Sequence, residues 1–210
     1  MMMIIIIEST TDLVKHGTSE MRISKAQAKE NRERVLGAAA SLFRAHGFDG
    51  VAVSDLMKAA GFTHGGFYNH FTSKEALAAE ALGRAWTEIA ATRARATDLE
   101  QFLAGYLSRA ARRAPHKSCP AAALAGDVSR QPAPVKAVFA DGLEEMIGYV
   151  EALLPPAGDA ATRERAIDLV ARIVGALALS RAVPDASPLA DELLEATRRT
   201  AMREAGQPQD

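Results

Sequence analysis

The sequence predicts an all-α protein. Alanine, leucine, glutamate and arginine dominate the 210 residues, and runs of β-branched residues are rare. Apolar residues recur at helical spacing in segments that proline- or glycine-containing joints separate. About nine helices and no strand are therefore expected.

Capping and helix-breaking residues position these helices. Ser24 and Thr63 are suited to cap a helix, and Ser73 with Glu75 behind it begins a longer one. Gly61 is expected to end the second helix. The predicted helices cover 24–46, 53–60, 63–70, 73–95, 98–113, 121–130, 134–154, 160–183 and 187–204.

Composition excludes several classes of protein. Hydrophobic residues make up 48% and charged residues 24%, which is a globular and not a disordered balance. One cysteine excludes an intramolecular disulfide and a multi-cysteine metal site, and it favours the cytoplasm. The longest purely apolar run, 1–7, is too short to span a bilayer.

Charge and aromatic residues divide the chain into two domains. Residues 21–77 carry eight Lys and Arg against five acidic residues, while 78–210 are slightly acidic. Six of the aromatic residues lie within 43–71. A small domain over 24–75 with a basic surface, typical of a polyanion-binding end, and a larger helical domain over 76–210 are expected. Residues 1–20 are interpreted as a disordered extension or a misplaced start, or as a short docked element.

The most specific pattern is a helix–turn–helix over 53–71, with its tight turn at Gly61. At 100° per residue, Phe67 and Phe71 share the inner face of the second helix. An outer face of this kind meets the major groove in DNA-binding proteins. Amphipathic helices without a DNA partner are also common, so periodicity alone leaves both interpretations open. The outer face carries Gly65, Tyr68 and Asn69.

Residues 34–48, 53–71 and 73–77 resemble the N-terminal domain of TetR-family transcriptional regulators. The run GFYNHFTSKEAL at 66–77 is the most specific part. The resemblance is strong over 29–89 and looser over the whole helical layout. It implies a homodimer that binds double-stranded DNA and whose DNA binding a small-molecule effector controls. No cofactor is implied. Repression of a palindromic operator is the implied outcome, and activation is the less frequent one.

The resemblance also implies which residues bind DNA. Tyr68 and Lys74 match positions that contact phosphate, and Asn69 is able to read adenine bidentately. Farther upstream, Arg22 and Lys25 form either an arm on the phosphate backbone or a solvated face. The implied set within and beside the recognition helix is Thr63, His64, Gly65, Gly66, Tyr68, Asn69 and Lys74.

Two features of this set, His64 and the Gly65–Gly66 pair, depart from the family pattern. His64 stands where the family often has lysine, so a permanent charge becomes a titratable one. Gly65 and Gly66 each cost about 1 kcal/mol against alanine in a helix interior. Either the missing side chains let the backbone approach DNA closely, or a short, well-anchored helix tolerates the penalty.

In the larger domain, the resemblance implies an effector cavity surrounded by helices. Each candidate wall residue is also a plausible core residue. Cys119 follows His116 and Lys117, so it is either a reactive thiolate or a small buried hydrophobe. The candidates are Trp86, Phe102, Tyr106, Cys119, Phe139, Met146 and Tyr149.

The stretch 167–179 is nearly continuously apolar and is expected to pair with 189–201 in a dimeric four-helix bundle. A helix buried centrally within one subunit is the alternative. A two-fold dimer places two recognition helices about 34–36 Å apart, which predicts a roughly palindromic operator. The candidate interface residues are Ile167, Val170, Val174, Gly175, Ala178, Leu189 and Leu193.

Catalysis is not expected. The sequence contains no HExxH pair, no phosphate-cradling loop and no carboxylates at metal-ligand spacing. The alternative to a DNA-binding regulator is an all-α ligand-binding protein or enzyme that no longer binds DNA specifically.

Overall fold

The computed structural model describes residues 25–206, and this part of the chain consists of helices joined by short loops. It contains nine α-helices and two 3-10 helices and no strand, which confirms the all-α prediction. The 3-10 helices are His64–Asn69 and Pro115–Lys117. The α-helices are α1 (Lys25–His46), α2 (Val53–Ala59), α3 (Lys74–Arg93), α4 (Leu99–Tyr106), α5 (Arg109–Arg113), α6 (Pro120–Val128), α7 (Ala133–Leu153), α8 (Asp159–Ala182) and α9 (Pro188–Ala205).

Most helix ends lie where the sequence places them. The Ser73 hydroxyl accepts a hydrogen bond from the Ala76 amide and caps α3. Gly61 adopts a φ of 82°, which lets the chain turn sharply after α2. The expected cap at Ser24 lies outside the described residues.

Two elements differ from the predicted helices. The segment 98–113 forms two helices, because the chain breaks at Leu107 and the Ser108 hydroxyl caps α5 by accepting from the Ala111 amide. The segment after Thr63 is a 3-10 helix, so its residues follow one another at about 120° instead of 100°. Consecutive glycines disfavour a regular α-helix there.

The first three helical elements enclose an aromatic core. The rings of Phe43 and Phe48 lie 5.1 Å apart, and those of Phe67 and Phe71 lie 5.9 Å apart. All four side chains are buried. Helix α3 then packs against both α1 and α7, so one continuous hydrophobic core joins the two ends of the molecule. The domain boundary at 75/76 stays a prediction.

Arg44 ties the N-terminal helices to the rest of the protein. Its guanidinium is buried, and it pairs with Glu88 of α3 at 2.6 Å. It also donates to the carbonyl oxygen of Ser118, in the segment that leads into α6. None of the helices in the described part of the chain combines the length and apolarity that a membrane span requires.

Candidate functional site

The 3-10 helix His64–Asn69 lies on the surface and is held from beneath by two aromatic anchors. Phe67 is 1% exposed and Phe71 is 4% exposed. The hydrogen bond from the Phe62 amide to the Met57 carbonyl closes the turn that precedes this helix. The helix–turn–helix therefore presents a fixed outer surface and not a flexible loop.

The residues predicted to bind DNA lie mostly on that outer surface. Tyr68 is 72% exposed, and its ring lies nearly perpendicular to the Phe67 ring at 5.2 Å, so most of the phenol is open to solvent. Gly66 is half-buried. The exposed members are Thr63, His64, Gly65, Tyr68 and Asn69, which we call the recognition surface.

The fold itself does not require glycine at either position of the Gly65–Gly66 pair. Neither residue has a positive φ. A Cβ on Gly65 would point into open space, and a Cβ on Gly66 would make an ordinary 3.5 Å contact with Met57 Cε. The open space beside Gly65 is therefore available to a partner molecule.

The remaining predicted contacts flank the recognition surface. Lys74 is half-buried at the first position of α3, where backbone amides are open to an anion. Thr63 occupies the cap position with an extended backbone, but its side chain makes no capping hydrogen bond. Lys25 is exposed at the start of α1, and Arg22 lies outside the described residues.

Two arginines that sequence reasoning missed hold the helix–turn–helix in place. Arg34 stacks on the Phe62 ring at 4.7 Å and donates to the Ala60 carbonyl, while Arg32 stacks on Phe71 at 4.6 Å. The only sequence signal for this role is that Arg34 begins the segment 34–48, which resembles the TetR family. Both guanidinium groups lie against the aromatic core and add to its stability.

A cavity of about 440 Å³ lies in the larger part of the molecule, between α3, α4, α5, the segment before α6 and α7. It brings together four of the predicted wall residues, Phe102, Tyr106, Cys119 and Met146. Its wall also contains Arg93. The sequence did not identify this residue, because its side chain contacts Tyr149 and Glu145 of α7, which lie far away along the chain.

Three other candidates do not line the cavity. Trp86 and Phe139 pack against each other at 5.9 Å, between α3 and α7. Tyr149 packs on Phe102 at 5.3 Å and donates to the Arg93 carbonyl, so it lies behind the wall. Helical spacing does not distinguish the cavity side of α7 from the side that packs on α3.

The chemistry around Cys119 disfavours a reactive thiolate. The thiol is buried and donates to Met146 Sδ at 3.7 Å, and burial raises its pKa. The neighbouring Tyr106 hydroxyl is buried without a hydrogen-bond partner, and burial also raises its pKa. No group of three or more potential metal ligands occurs within residues 25–206.

The predicted dimer residues divide into exposed and buried ones. Ile167 of α8 and Leu189 of α9 are 45% and 48% exposed. Val170 is buried inside the protomer, which leaves it unable to reach a partner surface. Leu179, which was not among the candidates, is 57% exposed. The half-buried candidates are Val174, Gly175, Ala178 and Leu193.

Comparison with known proteins identifies the helix–turn–helix region. The family model of bacterial regulatory proteins, tetR family, matches residues 35–81. An uncharacterized HTH-type transcriptional regulator, YdgC of Bacillus subtilis (strain 168), is 48% identical over 56 residues, 27% of this chain and 29% of that protein. The A-factor receptor protein of Streptomyces griseus is 39% identical over 54 residues, 26% of this chain and 20% of that protein.

Solved structures extend the similarity to the whole fold. A TetR transcriptional regulator from Chloroflexus aurantiacus J-10-FL is 27% identical with a TM-score of 0.66, over 85% of this chain and 97% of that one. A TetR-family regulator from Agrobacterium tumefaciens shares the fold at 20% identity and a TM-score of 0.68, over 84% and 98% of the two chains. The chain therefore carries the helix–turn–helix of the tetR family of bacterial regulatory proteins, on a helical fold that matches solved TetR-family regulators.

Proposed function

We propose that this protein is a cytoplasmic, DNA-binding transcriptional repressor that acts as a homodimer and leaves its operator when a small molecule occupies the cavity. The recognition surface carries this proposal. It presents exposed polar groups and bare backbone on a short helix that Phe67 and Phe71 fix from beneath. Such a helix fits the major groove, where side chains reach base edges.

The surface of α8 supports the dimer. Ile167, Ala171 and Leu179 are exposed, and a Cβ on Gly175 would point into open space. Small and apolar residues in this arrangement let a second helix approach closely. Two copies joined across α8 and α9 would bury this apolar face and carry two recognition surfaces to one operator.

Effector release requires that the cavity and the DNA-binding helices be connected. Cys119 lines the cavity, and the carbonyl of the preceding Ser118 accepts from Arg44 of α1. The hydroxyl of Ser118 accepts from Arg181 of α8 at 2.6 Å. An effector that moves this segment would therefore act on α1 and α8 together. It must bind the released state more tightly, because equal affinity for both states shifts nothing.

The first experiment selects binding sites from a random duplex library with the purified protein. Fluorescence anisotropy then compares the selected duplex with a scrambled duplex of the same composition, at two salt concentrations. We expect palindromic sites that bind about 10³-fold tighter than the scrambled duplex, with affinity falling as salt rises.

Two lysine variants connect the result to the recognition surface. Lys74→Ala should weaken binding to both duplexes and reduce the salt dependence by about one phosphate contact. Lys136→Ala removes an exposed lysine from α7 and should leave binding unchanged. Equal, weak binding to every duplex would reject the regulator and favour a ligand-binding protein or enzyme that uses the cavity alone.

A further inference from the structure

The wall of the cavity is mainly apolar, and its polar side chains include Thr92, Gln101 and Ser108 as well as a group beside Cys119. Phe102, Met146 and Ile89 provide the apolar surface. Arg93 and Tyr106 lie close enough to Cys119 to interact with it electrostatically. Arg93 and Tyr106 therefore form one polar group in the wall, as in sites that orient a small molecule by a few polar side chains.

The positive charge of Arg93 has no carboxylate within hydrogen-bond distance in the described part of the chain. Its side chain is 10% exposed, and its nearest carboxylate oxygen, on the solvent-exposed Glu145, lies 4.0 Å away. That distance is too long for a hydrogen bond. The guanidinium lies 5.3 Å from the centre of the Tyr149 ring and donates no hydrogen bond within residues 25–206. Five N–H groups are thus available to an acceptor in the cavity.

Tyr106 adds a second unsatisfied donor. Its hydroxyl is buried and makes no hydrogen bond of ordinary geometry. The acceptor beside it is the sulfur of Cys119, which is weak and whose own proton is directed to Met146. Burial raises the pKa of this phenol well above its ordinary value, so the hydroxyl keeps its proton at neutral pH. A buried donor without an acceptor is costly unless a ligand supplies one.

The charged side chains that line the cavity are all positive. No acidic residue lines the wall, whereas Arg93 does and Lys117 lies exposed at the rim. Arg181 lies behind the wall, and its charge acts on both Tyr106 and Cys119. An anion would be attracted to the opening and stabilised inside.

We propose that the cavity binds an apolar organic carboxylate, with the carboxylate against Arg93 and the Tyr106 hydroxyl and the apolar body against Phe102 and Met146. A planar carboxylate matches the guanidinium fork bidentately and also accepts from the phenol. The volume of about 440 Å³ suits a small molecule of this class. This inference deepens the proposed function and rests on it for the role of the cavity as the effector site.

Isothermal titration calorimetry on the full chain, without DNA, tests this assignment. The probes are 4-phenylbutanoate and 1-naphthoate, each compared with its primary amide, which has the same shape but no charge. We expect each acid to bind at least tenfold more tightly than its amide. Equal affinities, or no heat from either acid at millimolar concentration, would overturn the proposal.

Variants identify the residues responsible. Arg93→Met should weaken acid binding at least tenfold and leave amide binding unchanged, which also shows that the cavity is intact. Tyr106→Phe removes one oxygen atom and should weaken acid and amide binding severalfold, because both ligands accept from the hydroxyl. Arg95→Met, two residues along and exposed, is the matched control and should have no effect. An acid preference that persists in Arg93→Met would contradict the assignment of the charged group.

Binding to the cavity and release of DNA are measured separately. If the acids bind as expected but the protein selects no operator, the ligand class stands and the regulatory role fails. If an operator is selected and the acids show no preference over the amides, the regulator stands and the ligand class is wrong.

Discussion

Gly65 has no structural role that alanine could not fill. Its φ is not positive, and a Cβ there would meet no atom within 4 Å. Glycine in this position weakens the helix by up to about 1 kcal/mol relative to alanine. Either the short, well-anchored helix tolerates this penalty, or, as we propose, the bare backbone approaches DNA closely and a methyl group would separate the two surfaces.

Gly65→Ala should therefore separate stability from DNA binding. We expect the free energy of unfolding to stay constant or rise by up to about 1 kcal/mol, while affinity for the selected operator falls at least tenfold. Urea denaturation and anisotropy measure the two quantities. Gly126→Ala, which adds a methyl group in equally open space on α6, should not change operator affinity. Unchanged operator affinity in Gly65→Ala would place this glycine away from the groove.

Cys119 should react slowly in the folded protein. The thiolate is the nucleophile, and burial raises the pKa of this thiol, so less thiolate is present at neutral pH than in the unfolded chain. We expect iodoacetamide to modify the native protein at least tenfold more slowly than the urea-unfolded protein. Because Cys119 is the only cysteine, total alkylation measured by mass spectrometry reports on this site.

The pH dependence gives a second check on the same thiol. A folded-state pKa raised above the unfolded value means that the folded protein holds its proton more tightly. The free energy of unfolding should therefore fall as the pH rises past about 8.5, the ordinary thiol pKa. The variant Cys119→Ala should lose the part of this decrease that lies below about pH 10, where the buried Tyr106 phenol begins to contribute in the same direction. Native alkylation as fast as in the unfolded chain would support the sensing interpretation instead.

The spacing of residues along the sequence predicts which side chains of a single helix are buried and which are exposed. The burial of Phe67 and Phe71 and the exposure of Tyr68 follow from the amphipathic pattern, and the structure agrees. Arg34 and Arg93 could not be identified in this way. Each acts on groups that other elements supply, and the sequence near an arginine does not reveal which distant carbonyl or cavity its long side chain reaches.

At the scale of elements, caps and breakers predicted most helix ends, because a serine hydroxyl or a left-handed glycine acts within a few residues. The break at Leu107 was missed, since Ser108 is compatible with both a helix interior and a cap. The packing side of α7 was also not predictable. Whether Phe139 lies in the cavity wall or against Trp86 depends on how α7 crosses α3.

The crossing of α3 and α7 depends on Gly142. A Cβ at this position would overlap the indole ring of Trp86, which is buried. Gly142→Ala should therefore destabilise the protein by about 1–3 kcal/mol, since the core must shift to admit a methyl group. Gly148→Ala on the same helix meets open space and should stabilise by up to about 1 kcal/mol. Thermal denaturation distinguishes them, and a stabilised Gly142→Ala would contradict the close packing of α3 on α7.

The whole molecule has its two candidate sites at opposite ends of one continuous core. Helix α3 begins beside the recognition surface at Lys74 and ends at Arg93 in the cavity wall. A helix of 20 residues spans about 30 Å, so in the proposed repressor α3 would connect the two sites directly. The overall layout was predictable because helical periodicity persists through the chain, whereas the cavity arises from packing between distant segments.

Association of two chains is the last property that the fold makes testable. Ala171 lies on the exposed side of α8, four residues after Ile167. In the proposed two-fold dimer, a glutamate at this position would bring two like charges into an apolar contact. Ala171→Glu should therefore weaken the dimer at least tenfold and weaken operator binding with it, as each chain alone reads half of a palindrome.

Sedimentation velocity over a range of protein concentrations measures this effect. Ala91→Glu makes the same substitution at an exposed position on α3 and should leave the dimer unchanged. Circular dichroism checks that both variants stay helical. A dimer that persists unweakened in Ala171→Glu would mean that α8 faces solvent in the assembly, and operator binding would then have to rely on another surface to hold the two chains together.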